Sequence, residues 1–129
     1  MKTKLVYIAA RFSAPNEWEV ENNVRIAENM AFKINAAGHF YRTTDGPVAA
    51  AVCVHTMNRY WHNTLSIEFW YHMTQEILRR CDAVVFVGPW VNSVGCQQER
   101  ALAMSLNLQI FDLNQNDNLP VDFLLWMMN

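Results

Sequence analysis

The run Ala83-Val84-Val85-Phe86-Val87-Gly88, closed by Pro89, constrains this chain more than any other segment. It is short, unbroken by polar residues and rich in β-branched side chains. A half-exposed strand would alternate apolar and polar residues, whereas a continuous run is the pattern of a strand covered on both faces. Pro89 ends it, because proline cannot donate to a sheet ladder. A strand buried on both faces needs helices on both sides, which restricts the fold to the α/β class with a parallel sheet. The opening run Lys4-Leu5-Val6-Tyr7-Ile8-Ala9-Ala10 predicts a second such strand, broken by the turn and cap residues Arg11 to Asn16.

The remaining elements follow from periodicity. A helix is predicted from about Glu17 to Ala37, with Val20, Val24, Ile26, Ala27, Met30, Ala31 and Ile34 as its apolar positions and Gly38 as its stop. His39 to Thr44 reads as a second strand, and Asp45-Gly46-Pro47 as a break. Residues 48–64 read as a loop carrying one short helix, with His55 and His62 in it; so long an excursion in a small domain is often functional. Ser66 to Arg80 reads as a helix with Phe69, Trp70, Met73, Ile77 and Leu78 on one side. After the central strand, Gly95 ends a loop and Gln97 to Leu106 forms a short helix. Gln109 to Leu113 is a last strand, and Leu119 to Asn129 a short amphipathic tail with outward-looking Trp126, Met127 and Met128.

This order predicts a flavodoxin- or Rossmann-like three-layer sandwich with a mainly parallel sheet of four to five strands. In such sheets ligands sit beyond the carboxyl ends of the strands, which points to Ala9–Ser13 and Gly88–Glu99. The 129 residues suffice for one domain, 1–129, and no linker or internal repeat divides them. Ten basic against twelve acidic residues leave a net charge of −2, with no clustering of lysines or arginines. A nucleic-acid polymer or an anionic membrane is therefore not an expected partner. The apolar stretch near the N-terminus is too short for a signal peptide and reads as a strand. No run approaches the roughly 20 residues needed to span a bilayer. Cys53, Cys81 and Cys96 are odd in number and lack CxxC spacing, so buried thiols in the cytoplasm are expected rather than disulfides or a structural zinc. The histidines lack an HExxH pattern, no GxGxxG follows the first strand, and neither GxSxG nor a Walker A motif occurs; no metal or cofactor is expected.

The segment from Cys81 to Ala101 carries the chemistry. A buried strand runs into a loop with Ser93 and Gly95, and Glu99 lies in the first turns of the helix that follows. The dipole and unpaired backbone N–H groups there would hold its carboxylate ionised. An ionised carboxylate facing a cleft is what attack on a sugar anomeric carbon requires. Acidic residues are common at helix starts, so this local pattern alone does not single Glu99 out.

Two stretches together resemble the nucleoside 2-deoxyribosyltransferase superfamily, including its small phage and bacterial branch and the 2'-deoxynucleoside 5'-phosphate N-hydrolases. One is the strand Val6-Tyr7-Ile8-Ala9-Ala10. The other is Cys81-Asp82-Ala83 followed by Gly88-x-Trp90-x-x-Ser93-x-Gly95-x-x-x-Glu99. Gln109-Ile110-Phe111 fits the closing strand; Leu102 departs from the small residue usual after the Glu.

The resemblance implies that Glu99 is a nucleophile forming a covalent glycosyl-enzyme, with Tyr7 orienting it through its hydroxyl. It implies further that Trp90, Ser93 and Gly95 lie at the substrate, and that Ser93 and Arg11 hold a 5'-phosphate, as in the hydrolase branch. The implied partner is a small nucleoside or nucleotide, in a homo-oligomer whose neighbouring subunit completes the site. One position departs: where the family usually has an Asp, eight residues before Asp82, this chain has Thr74, which cannot protonate a leaving base. Asp45, His55, His62 and His72 are the substitutes the sequence offers, none at a confirming spacing. The expected function is an N-glycosidase acting on a deoxynucleoside or its 5'-monophosphate. The alternatives are a non-catalytic nucleotide-binding module of the same fold and an NAD-type N-glycosidase.

Overall fold

The computed structural model describes residues 2–61 and 64–129. Four strands, β1 (Lys4–Ala9), β2 (Ala49–Val52), β3 (Ala83–Val87) and β4 (Gln109–Leu113), form one sheet in the order β2-β1-β3-β4. Every pair is parallel, with Tyr7 opposite both Val52 and Val84. Among the described residues there are five helices: α1 (Glu17–Phe40), α2 (His55–Trp61), α3 (Ile67–Arg79), α4 (Val94–Ser105) and α5 (Val121–Met128). The three-layer α/β sandwich expected from the central strand is the fold. None of the helices is long and apolar enough to cross a membrane among the described residues.

Strand alternation divides the core into two layers. Val6 and Ile8 of β1, with Val85 and Val87 of β3, pack against Ala27, Met30 and Ile34 of α1 and Phe123 and Met127 of α5. Tyr7, Ala9, Val84 and Phe86 face the other way, towards Leu78 of α3 and Cys96 and Ala103 of α4. All five β3 residues are buried, as the unbroken apolar run requires. The tail is less exposed than its sequence suggests. Met127 is fully buried, and Trp126 packs on Phe111 and Phe123 while Lys4 lies over its ring and donates to the Met127 carbonyl at the end of α5.

Asp82 of the Cys-Asp-Ala segment is structural. Its carboxylate accepts from the Leu5 N–H and its own N–H donates to the Leu5 carbonyl, both at 2.8 Å, which fixes where β3 begins beside β1.

The second strand is not where propensity placed it. His39 and Phe40 continue α1, and Tyr41 caps it by donating to the Ala37 carbonyl. A turn follows, and β2 forms from the small residues 49–52, not from His39–Thr44. Gly38 does not stop the helix but seats it: a Cβ at Gly38 would lie 2.0 Å from the Ala49 carbonyl oxygen. Its carbonyl accepts from Val48 N–H at 3.1 Å, and Asn35 Oδ1 accepts from the outward Ala51 N–H at 2.8 Å. The edge of the sheet is thus closed by α1, and its strand must be made of small side chains.

In an exposed helix interior, Gly→Ala stabilises by about 1 kcal/mol. Here the added methyl meets backbone that cannot move aside, so Gly38→Ala is expected to destabilise by about 3 kcal/mol in denaturant unfolding.

Candidate active site

The topology places a crevice where β1 and β3 lie side by side and their following chains diverge, the position at which parallel α/β sheets bind ligands. A cavity of about 710 Å³ opens there. Its walls come from the loop after β1 and from the start of α4, the two strand ends singled out from the sequence. They come also from α2, within the 48–64 excursion, and from α3, which the sequence did not tie to a site. The loop is held by Asn23 of α1, whose amide donates to the Phe12 carbonyl at 3.1 Å. Asn16 caps α1 by accepting from Glu19 N–H at 2.8 Å.

Tyr7 and Glu99 meet at the cavity floor. Alternation along β1 turns Tyr7 towards α4, and its hydroxyl donates to Glu99 Oε2. Tyr7 is buried, at 1% exposure. Burial first, then the Glu99 charge and the hydrogen bond to it, raise its pKa well above the ordinary value, while the neighbouring Thr74 hydroxyl acts weakly in the opposite direction. Tyr7 therefore stays protonated and serves as a donor.

Glu99 keeps some accessible surface, turned to the cavity, but is closely surrounded by protein. Burial pushes its pKa up to about 7, against a smaller lowering by the Tyr7 hydroxyl. The expectation that the helix end holds it ionised is therefore corrected. The helix begins at Val94, three residues earlier than the pattern indicated, with Ser93 as its cap. Glu99 stands beyond the first turn, where the N–H groups are already paired and the dipole has faded. Desolvation then dominates.

Ser93 lines the cavity while its hydroxyl accepts from Cys96 N–H at 3.3 Å. Gly95 also lines it, within the first turn of α4 and not in the preceding loop; a Cβ there would lie 3.3 Å from the Tyr71 ring, so α4 and α3 approach closely at this point. Arg11 lines the same cavity, with its Nε donating to the Ser13 carbonyl at 2.8 Å. Trp90 does not line it. Its ring packs 4.8 Å from Phe86, and the Arg100 guanidinium covers both rings while pairing with both Asp112 oxygens at 2.8 and 3.0 Å. Trp90 thus packs beneath the pair that joins α4 to β4.

Thr74 is buried in the cavity wall beside Tyr7 and donates to the Tyr71 carbonyl at 3.2 Å. Of the possible substitutes for the missing Asp, His55 alone among the described residues lines the cavity. Asp45 is in an exposed turn and His72 on the exposed side of α3, while His62 lies outside the described residues. Asn58, Trp70 and Tyr71 are lining residues that sequence reasoning missed. The α3 residues had a signal: positions 67, 70, 71 and 74 share a stripe at helical spacing. Among the described residues no group of three or more His, Cys, Asp or Glu is placed to hold a metal.

A raised pKa in the folded state means that the unfolded chain gives up the Glu99 proton first. Stability is then lost as pH rises from about 4.5 to about 7 and stays lost above. Glu99→Gln removes this loss and can still accept from Tyr7. It is expected to stabilise the fold by about 2 kcal/mol at pH 8, allowing for the hydration Glu99 keeps, and by almost nothing at pH 4. Thermal unfolding at the two pH values checks this.

No curated protein and no solved structure matches the chain. The model of the family described as Domain of unknown function (DUF4406) matches residues 6–112, and the chain belongs to that family.

Proposed function

We propose that this protein is an N-glycosidase of the nucleoside 2-deoxyribosyltransferase type, acting on a deoxynucleoside or its 5'-monophosphate with Glu99 as nucleophile. The observation that carries the reading is a cavity carboxyl hydrogen-bonded by a buried tyrosine. Glu99 attacks C1' of the sugar, a bond to its oxygen forms, and the bond to the base nitrogen breaks with its electron pair leaving on the base. Water or a second base then displaces the carboxylate, so configuration is retained overall. Tyr7 steadies the charged form that attacks.

A phosphorylated substrate is supported by Arg11, whose terminal nitrogens have no partner among the described residues, in a cavity that Ser93 and the start of α4 also line. A guanidinium and a helix N-terminus together suit a phosphate. The cytoplasm and a homo-oligomer belong to the same reading.

Thr74 favours a second one. A hydroxyl stands in the wall where a carboxylic acid would assist the leaving base, as a nucleotide-binding module without turnover would have it.

Incubation with deoxynucleosides and their 5'-monophosphates, read as free base by chromatography, separates the two. The enzyme releases base, and Glu99→Ala is expected to lower the rate at least about a thousandfold. The binding module releases none while a monophosphate still raises Tm.

The pH profile tests the Tyr7 role. Attack needs the carboxylate, so kcat/KM should rise with pH through about 7. Tyr7→Phe removes a donor to the charged form, so this limb should move to higher pH by about one unit or more.

A further inference from the structure

His55 opens α2, is 6% exposed and stands among the residues around the cavity. Its Nε2 lies 2.7 Å from the Ala10 carbonyl oxygen. A carbonyl oxygen only accepts, so Nε2 carries a proton and the bond fixes the tautomer. Burial lowers the imidazole pKa below its ordinary value, opposed by the Ala10 bond and the Glu28 charge, so the ring is neutral at physiological pH. Nδ1 therefore presents a lone pair. It is buried and has no hydrogen-bond partner among the described residues.

The neighbours do not supply a donor. Glu28 is itself an acceptor, engaged by the Thr56 hydroxyl at 2.5 Å and by Arg59 at 3.0 Å. These bonds, with Arg59 to Glu21 at 3.1 Å, fasten α2 to α1 and hold His55 where it is. The Phe12 ring lies 6.2 Å away and offers only its face and edge. In the same cavity, the Tyr7 hydroxyl proton is committed to Glu99. A buried acceptor left unpaired costs about 1–3 kcal/mol. A ligand that brings a donor recovers this, and one that brings an acceptor sets lone pair against lone pair.

We propose that His55 Nδ1 accepts a hydrogen bond from an N–H or O–H group of the bound ligand and so selects ligands that carry a donor at that point. This rests on the cavity being the nucleotide site proposed above. The donor is either an exocyclic amino group of the base or a sugar hydroxyl. His55 is then a ligand-binding residue of the same cavity as the proposed nucleophile, and not a general acid, since its free nitrogen has no proton to give.

The test is calorimetric binding to the Glu99→Gln protein, which does not consume the ligand. The probes are dAMP and dCMP, their analogues lacking the exocyclic amino group, and their 2',3'-dideoxy analogues lacking the 3'-hydroxyl. Loss of one donor, amino or hydroxyl, is expected to weaken binding about tenfold or more, and the series that shows the loss identifies the source. In His55→Leu the same comparison should shrink to within about threefold. Should His55→Leu fail to fold, nitrogen NMR of His55 in the otherwise unaltered chain serves instead: Nδ1 should be the unprotonated nitrogen and should shift on adding the tightest probe. Analogues that bind as well as their parents, or a proton found on Nδ1, would overturn the proposal while leaving the glycosidase reading intact. If no probe binds and neither nucleosides nor monophosphates release base, both fall together.

Discussion

The hydrogen bond from Tyr7 to Glu99 ties the architecture to the chemistry. It joins the second layer of the core to the floor of the crevice, and it exists because three separate constraints agree. Alternation along β1 turns Tyr7 towards α4. The Asp82–Leu5 pair sets where β3 starts beside β1. The Ser93 cap and the Arg100–Asp112 pair set where α4 begins and how it lies on β4. A slip of one residue in β1 would turn Tyr7 to the α1 side and leave Glu99 with no donor at all.

The same bond explains why the carboxyl can be half-buried without being lost to the proton. Desolvation raises its pKa to about 7, and the tyrosine stops it rising further. The fold gives up stability at neutral pH to keep it, a cost that functional sites commonly carry. Cys96 sits beside this pair with its thiol pushed up to about 12, chiefly by burial. It is therefore a packing residue at the cavity floor with an unreactive thiol.

How much of this was legible depends on how far each signal reaches along the chain. β3 announced itself because burial on both faces leaves an unbroken apolar run, and β1 nearly did. β2 did not, because its residues are selected by the close approach of Gly38 on α1, a contact across the sheet edge that no local propensity records. The aromatic stretch at Phe40 and Tyr41 looked like a strand for the same reason in reverse: its β-forming side chains stay exposed at the end of a helix whose seat is two residues earlier. Glu99 was legible as a residue but not as an ionisation state, since its pKa is set by the burial that packing around it creates. Trp90 belonged to the pattern that carried the resemblance, yet it packs on Phe86 beneath the Arg100 guanidinium and does not line the cavity. Thr74 was found only by counting from Asp82, and His55 and Asn58 lie in a segment without periodicity.

This division is physical. Tyr7 and Glu99 depend on sheet register and on the loop-to-helix turn after β3, both of which the core enforces and sequence patterns report. His55, Asn58, Trp70, Tyr71 and Thr74 line the same space from α2 and α3, helices that share the crevice without fixing the register of the strands beneath it. α2 in particular is fastened to α1 by the Arg59 pairs with Glu21 and Glu28, which are partly exposed and contribute little to stability individually. Substitutions on those helices can change what the cavity holds while the carboxyl and its tyrosine stay in place. Thr74 in the wall is compatible with that arrangement: it places a hydroxyl beside the carboxyl's tyrosine, and the hydrogen bond between Tyr7 and Glu99 stands with it there.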